Sequence, residues 1–197
     1  MYLARLILNN SHLAVSWVSN PYRVHQRLLM AYDGDPRLLF RIDNIGETTQ
    51  IIVQSHKEPN WDSFGETFRV LTQSPEYKLY DPRLIINCHY RFRLLANPTI
   101  KRDGKRLGLL NEADQCAWLD RKLTAAGATV KDCMSKPLGI QQSSKNPHKE
   151  AAIQSHFAVL YEGVLLVNDP IRLIQAIDNG IGSAKGFGFG LLSLARV

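Results

Sequence analysis

Tyr22 and His25 stand three residues apart, so on a helix their side chains share one face, a turn from each other. An imidazole with an ordinary pKa near ~6.5 can serve as base or acid around neutrality. A phenol beside it can orient the ring or a bound anion. The same spacing suits a His and a Tyr that only pack between two domains, and spacing does not choose. A second constellation is Lys101-Arg102-Asp103-Gly104-Lys105-Arg106, four cations around an Asp-Gly pair that favours a two-residue hairpin turn. Such a tip would offer positive charge to a polyanion; a solvated turn is the plain alternative. The third is the glycine-rich run from Gly182 to Gly190, which contains Lys185, Gly186 and Gly188. Missing side chains let backbone N–H groups approach a phosphate, or let the loop pack closely on a helix. It is no P-loop, because GxxxxGK[ST] is absent. Phe187 and Phe189 could stack bases, although residues two apart fit a core better. No Asp/Glu cluster and no HxH or CxxC spacing occurs, so no metal and no other cofactor is expected.

These residues need elements to hold them. Tyr2–Leu8 reads as a buried strand, and Asn20-Pro21 starts a helix, with Asn as cap and Pro at the first helical position. Val24, Leu28 and Tyr32 recur four apart on that helix. Leu38–Ile42 and Thr49–Ser55 are strands joined through a turn at Asp43–Gly46, hence an antiparallel pair. The second half repeats the scheme. A long strand spans Leu84–Leu95, and Asn111 caps a helix reaching about Ala126, with Ala113, Ala117, Leu119 and Leu123 as its buried stripe and Gly127 as its stop. Two strands within His156–Val167 turn at Glu162-Gly163. Asn168-Asp169-Pro170 opens a helix over Ile171–Ile177, and Gly188–Ala195 is a last strand. Pro137–His148 lacks periodicity and reads as a mobile loop. The pattern predicts an α+β fold of two small domains with antiparallel or mixed sheets, split β-α-β units being the natural candidate. The boundary falls within Gln73–Asp81, giving domains 1–80 and 81–197.

The 197 residues carry 24 Lys+Arg against 18 Asp+Glu, a net charge of +6 that favours a polyanionic partner only modestly. No apolar run is long enough for a transmembrane helix, and the N-terminus has no signal-peptide pattern, so no membrane is expected. Three widely spaced cysteines give no disulfide framework and suit a reducing cytoplasm. Physics alone stops here, between an enzyme and a binder.

Three segments are more specific. Asn20-Pro21-Tyr22-Arg23-Val24-His25-Gln26-Arg27-Leu28-Leu29 resembles the NPYxxHRxLL helix of the CasE endonucleases of type I-E CRISPR systems. Ala117-Trp118-Leu119-Asp120-Arg121-Lys122-Leu123 resembles their AWLxRKL helix. Tyr161-Glu162-Gly163, followed by Gly180 to Ala195, is similar to their FEGVL…GIGxAKxxGxGLLSLAP ending. The order and spacing hold over nearly the whole chain. The resemblance implies tandem ferredoxin-like (RRM-like) domains and residence in the Cascade complex with its other subunits. It also implies cleavage at the 3′ base of a CRISPR repeat RNA stem-loop, with the product retained.

RNA brings its own nucleophile, the 2′-hydroxyl, so a base, an acid and a cation for the phosphorane suffice without metal. The resemblance makes His25 and Tyr22 the catalytic pair. Some relatives carry a lysine where Met30 stands, which leaves Arg23, Arg27 and Lys185 as candidate cations. It makes Lys101, Arg102, Lys105 and Arg106 a basic hairpin for the stem, because A-form RNA is read by shape and backbone. Gly182, Gly186 and Gly188 complete the expected RNA contacts. His12, His56, His89, His148 and His156 are expected on the surface or in packing. The rival readings are a non-catalytic RNA-hairpin-binding module and a protein-interaction scaffold.

Overall fold

In the computed structural model, which describes residues 1–35, 37–144 and 153–197, burial of Ala4 and Leu6 at period two sets the inner face of β1 (Tyr2–Ile7). Two units emerge. The first comprises Met1–Asp81, the described parts of Gln142–Gln154, and Gly186–Gly188. Its elements are β1, α1 (His12–Val18), α2 (Pro21–Ala31), β2 (Leu39–Ile45), β3 (Thr48–Ser55), a 3-10 segment Trp61–Val70 and β4 (Glu76–Leu79). The antiparallel sheet runs β2-β3-β1-β4, with Leu6 opposite Ile51 and Phe40 opposite Val53. Val24, Leu28, Phe40, Ile51, Val53 and Phe64 close its core.

The second unit comprises Pro82–Gln141, Ser155–Lys185 and Phe189–Val197. In chain order it holds β5 (His89–Ala96), the ribbon β6 (Thr99–Arg102) and β7 (Lys105–Gly108), and α3 (Glu112–Ala125). β8 (Ala128–Ser144), β9 (Ile153–Val167), α4 (Pro170–Asn179) and β10 (Leu192–Arg196) follow. Its sheet runs β10-β5-β9-β8. In both units the first strand lies between the third and the fourth, the order of a split β-α-β fold. The chain is therefore α+β with tandem ferredoxin-like sheets, and the β6–β7 ribbon is an insertion between the first strand and first helix of the second unit.

Several elements differ from the sequence reading, each for a local reason. The sequence reading does not include the helix α1, the 3-10 segment or β4; α1 and β4 are short, and the 3-10 segment buries Phe64, Thr67 and Val70 at three-residue spacing. Asn20 precedes α2 but its side chain caps nothing; its Nδ2 donates instead to the Ser144 carbonyl at 3.2 Å. Pro21 at the first helical position starts α2 without that cap. β2 continues through Asp43 to Ile45, because its ladder with β3 runs on from Asp43–Gln50 to Ile45–Thr48; Asp43 also takes a bidentate ion pair from Arg41, with both side chains 4% exposed. On α3, Ala113 and Ala117 are exposed, and Gln115, Trp118, Leu119 and Leu123 form the buried stripe. Leu84–Cys88 stays outside β5, and the last strand starts only at Leu192, after Gly188 and Gly190 at positive φ. The supposed mobile loop is strand as far as Ser144, and residues 145–148 lie outside the described residues.

The most informative correction is Gly163. It was expected to turn the chain, yet β9 runs straight through it, paired with Phe92. The β8 backbone passes so close that a β-carbon at Gly163 would overlap the Asp132 carbonyl. The glycine is therefore required by a close approach of two strands. Gly163→Ala should cost about 1–3 kcal/mol, since neither backbone can yield easily. Urea unfolding should show a lower midpoint than wild type, while Ala117→Ser on the exposed face of α3 stays near it. Equal midpoints for Gly163→Ala and wild type would contradict this packing.

Candidate active site and basic cleft

Burial of Val24, Leu28 and Ala31 fixes the rotation of α2, and with it where each polar residue points. Tyr22 and His25 come out half-buried on a neighbouring face, as their three-residue spacing requires. The imidazole stacks on Phe40 with ring centroids 5.9 Å apart and planes at 26°. Tyr22 stacks on Phe187 at 5.8 Å and 28°. Phe187 of the glycine-rich segment thus packs directly on α2.

Two glycines do different work there. A β-carbon at Gly186 would lie 3.5 to 3.8 Å from three atoms of the His25 ring, in ordinary contact, so a side chain at 186 would cover the imidazole. Gly188 has φ +87°, and a β-carbon there would come within 3.2 Å of the Phe40 ring that His25 stacks on. Glycine at 188 lets the platform close; glycine at 186 keeps the ring uncovered.

Burial also sets the electrostatics. With the ring partly desolvated, His25 titrates below the ordinary 6.5, because the charged imidazolium loses hydration. The neutral imidazole, a proton acceptor, is thus the resting form at neutral pH. Arg23 and Arg27 lie on a different, exposed face of α2, so the structure does not bring them to the His25 ring. Met30 is 55% exposed beside them, and Arg27 Nη1 donates to its Sδ at 3.6 Å.

In the second unit the predicted hairpin forms. Asp103 and Gly104 both take positive φ (50° and 74°), as a type I′ turn needs. Its cations divide. Lys101 and Arg106, opposite each other in register, line a cleft of about 260 Å³ together with Trp118, Arg121, Lys122 and Gly182. Arg102 is exposed and does not line it, and of Lys105 the backbone alone is described. Gly182, at φ +89°, sits against the Trp118 ring, where a β-carbon would come within 3.1 Å. Lys122 Nζ lies 5.9 Å from the centroid of the same ring, a cation–π distance. Lys185 opens the 3-10 turn Lys185–Phe187 in a half-buried position.

Sequence reasoning missed Arg121, Lys122 and Ser183 as cleft residues. The signal for the first two was present in the quoted AWLxRKL-like segment, since Arg121 and Lys122 follow Trp118 by three and four residues. Ser183 Oγ is buried without a partner among the described residues, which no local pattern announces. His156 packs edge-on to Phe189 and lies 3.2 Å from Asn97 Nδ2 through its Nδ1; His12, His56 and His89 are exposed. His148 lies outside the described residues. Among the described residues no three His, Cys, Asp or Glu side chains are placed to share a metal ion, and no helix is long and apolar enough to cross a membrane.

A family profile described as CRISPR associated protein matches residues 1–196. The CRISPR-associated endoribonuclease Cse3 of Thermus thermophilus is 33% identical over 99% of this chain and 100% of its own. The chain belongs to the CasE family of CRISPR-associated proteins. The Cascade subunit CasE of Escherichia coli K12 is 34% identical over 99% of both chains. The solved structure of Cse3 bound to 19 nt RNA covers all of both chains with a TM-score of 0.85 and 31% identity. In this CasE-family chain the Tyr22–His25 helix and the glycine-rich segment packed on it are thus set within a fold shared along the full length.

The free protein supplies a direct check. An NMR titration of His25 should give a midpoint below 6.5, since burial is the dominant influence. The unfolded chain then binds this proton more tightly, so the stability involved is full above 6.5 and declines as pH falls through it. A midpoint above 6.5 would contradict a neutral resting imidazole.

Proposed function

We propose that this protein is a metal-independent endoribonuclease that cuts CRISPR precursor RNA at the 3′ base of its repeat stem-loop. It then stays bound to the mature guide RNA. The observation that carries this reading is the half-buried His25, stacked on Phe40, on the same face of α2 as Tyr22. Full-length similarity to a protein named an endoribonuclease, solved with RNA bound, supports RNA as the substrate.

The chemistry follows from RNA itself. The His25 imidazole takes the 2′-hydroxyl proton as the 2′-oxygen bonds to phosphorus, and the P–O5′ bond breaks. The 5′-oxygen takes a proton from solvent, leaving a 2′,3′-cyclic phosphate and a 5′-hydroxyl. Tyr22, one turn away, orients the scissile phosphate. Gly186 and Gly188 bring backbone close enough to accompany the RNA strand, and Arg23, Arg27 and Lys185 supply positive charge along its path. Lys101 and Arg106 with Arg121 and Lys122 grip stem phosphates, and Arg102, Lys105 and Gly182 extend that contact. Residues 1–80, with Gly186–Gly188 packed on them, thus act as the catalytic domain, and the rest of 81–197 as the domain that grips the stem. The partners are the repeat stem-loop and, as the name of the E. coli relative suggests, the other Cascade subunits in the cytoplasm.

The test is His25→Ala on a labelled repeat hairpin in EDTA. Cleavage should fall roughly 10²–10⁴-fold, the usual worth of acid–base catalysis. Affinity should barely change, because a neutral side chain is removed. A variant that cuts at near wild-type rate removes His25 from the mechanism. A wild-type protein that shifts the hairpin without cutting it is a binding module.

A further inference from the structure

Arg23 and Arg27 are placed against the local electrostatics of α2. Arg23 lies in the first turn, where the helix dipole disfavours a cation, and that turn has no acidic residue. Arg27 follows it by four residues on the same side, a like-charge pair that destabilises a helix. Neither guanidinium has an acidic partner among the described residues. Both line a groove of about 490 Å³ together with Leu13, Ser16 and Trp17 from α1 and Met30 from α2. Trp17 touches Phe64 edge-on at 6.1 Å and remains part exposed. Gln26 adds a side-chain amide to the same wall. Cations without counter-ions beside a part-exposed indole are the pair of features that binds single-stranded nucleic acid, phosphate on charge and base on ring. The groove shares α2 with Tyr22 and His25 but opens on another face, so it is separate from the scissile position.

We propose that this α1–α2 groove is a subsite for the single-stranded RNA that flanks the repeat hairpin. Trp17 stacks a base, and Arg23 and Arg27 hold the adjoining phosphates. A bound phosphate removes the like-charge repulsion and the clash with the helix dipole together, which explains why two arginines stand there unpaired. The inference rests on the endoribonuclease reading above and extends it from the stem to the flank.

The experiment is a binding cycle with 2′-deoxy-blocked hairpins, one bare, one with a short 5′ oligouridine extension and one with a 3′ extension. For wild type, one extension should tighten binding by roughly tenfold, the order of one stacked base. The doubly substituted R23A/R27A protein should lose most of that gain, and Trp17→Leu, which keeps an apolar contact with Phe64, should lose part of it. The salt dependence of the gain should flatten by about 0.7 for each phosphate released. The gain is a ratio between RNAs, so a uniform change in hairpin affinity cancels, and thermal unfolding confirms that each variant is folded. No gain from either extension in wild type overturns the subsite while the hairpin reading stands. A gain that survives in R23A/R27A overturns it as well, and would leave the groove to a protein neighbour. Failure of wild type to bind the bare hairpin takes down both readings.

Discussion

Everything at the candidate active site depends on the rotation of one helix. Val24, Leu28 and Ala31 are fully buried beneath α2, and Tyr32 follows at its end. Fully burying a side chain the size of Val or Leu is worth about 1.5–3 kcal/mol. The like-charge pair Arg23 and Arg27 costs a few tenths of a kcal/mol at a helix surface. Burial therefore wins, and the helix cannot turn to relieve its charges. The same rotation that sends Tyr22 and His25 toward Phe187 and Phe40 commits the arginines to the opposite groove. One hydrophobic constraint thus separates the Tyr22–His25 pair from the two arginines.

The second constraint is the aromatic platform. Phe40 belongs to β2 and faces the same core as Val24 and Leu28, so the ring beneath His25 is held by the sheet and not by a loop. A rigid, apolar partner lowers the proton affinity of the imidazole without needing a nearby cation. Gly188 is the condition for this arrangement, because a side chain there would meet the Phe40 ring, at a backbone angle few other residues adopt. The glycines of the tail therefore serve the helix they pack on before they serve any RNA.

Part of the candidate site was legible because it is local. Helical spacing puts Tyr22 and His25 on one face, although only the family resemblance singled them out; Asp103-Gly104 needs only turn chemistry, and Asn111 caps α3 with its own side chain as its position suggests. What local reading could not supply was assembly. Lys101 and Arg106 meet Arg121, Lys122 and Gly182 through the fold of the second unit, across up to eighty residues of chain. Gly163 looked like a turn because glycine has two uses, and only the passing β8 strand shows which applies. Asp43 looked like a turn residue until its pairing with Gln50 of β3 placed it inside a strand. In each case a residue type was read correctly as unusual, and its neighbour in space, not in sequence, decided why.

In the proposed reaction the RNA supplies the nucleophile and α2 supplies the proton acceptor. Cleavage of a repeat hairpin by the wild-type protein in EDTA, followed by identification of the RNA ends, separates this from attack by water. A 2′,3′-cyclic phosphate is expected on the upstream fragment and a 5′-hydroxyl on the downstream one. A 3′-hydroxyl paired with a 5′-phosphate would mean that water attacks phosphorus, and would rule the proposed reaction out.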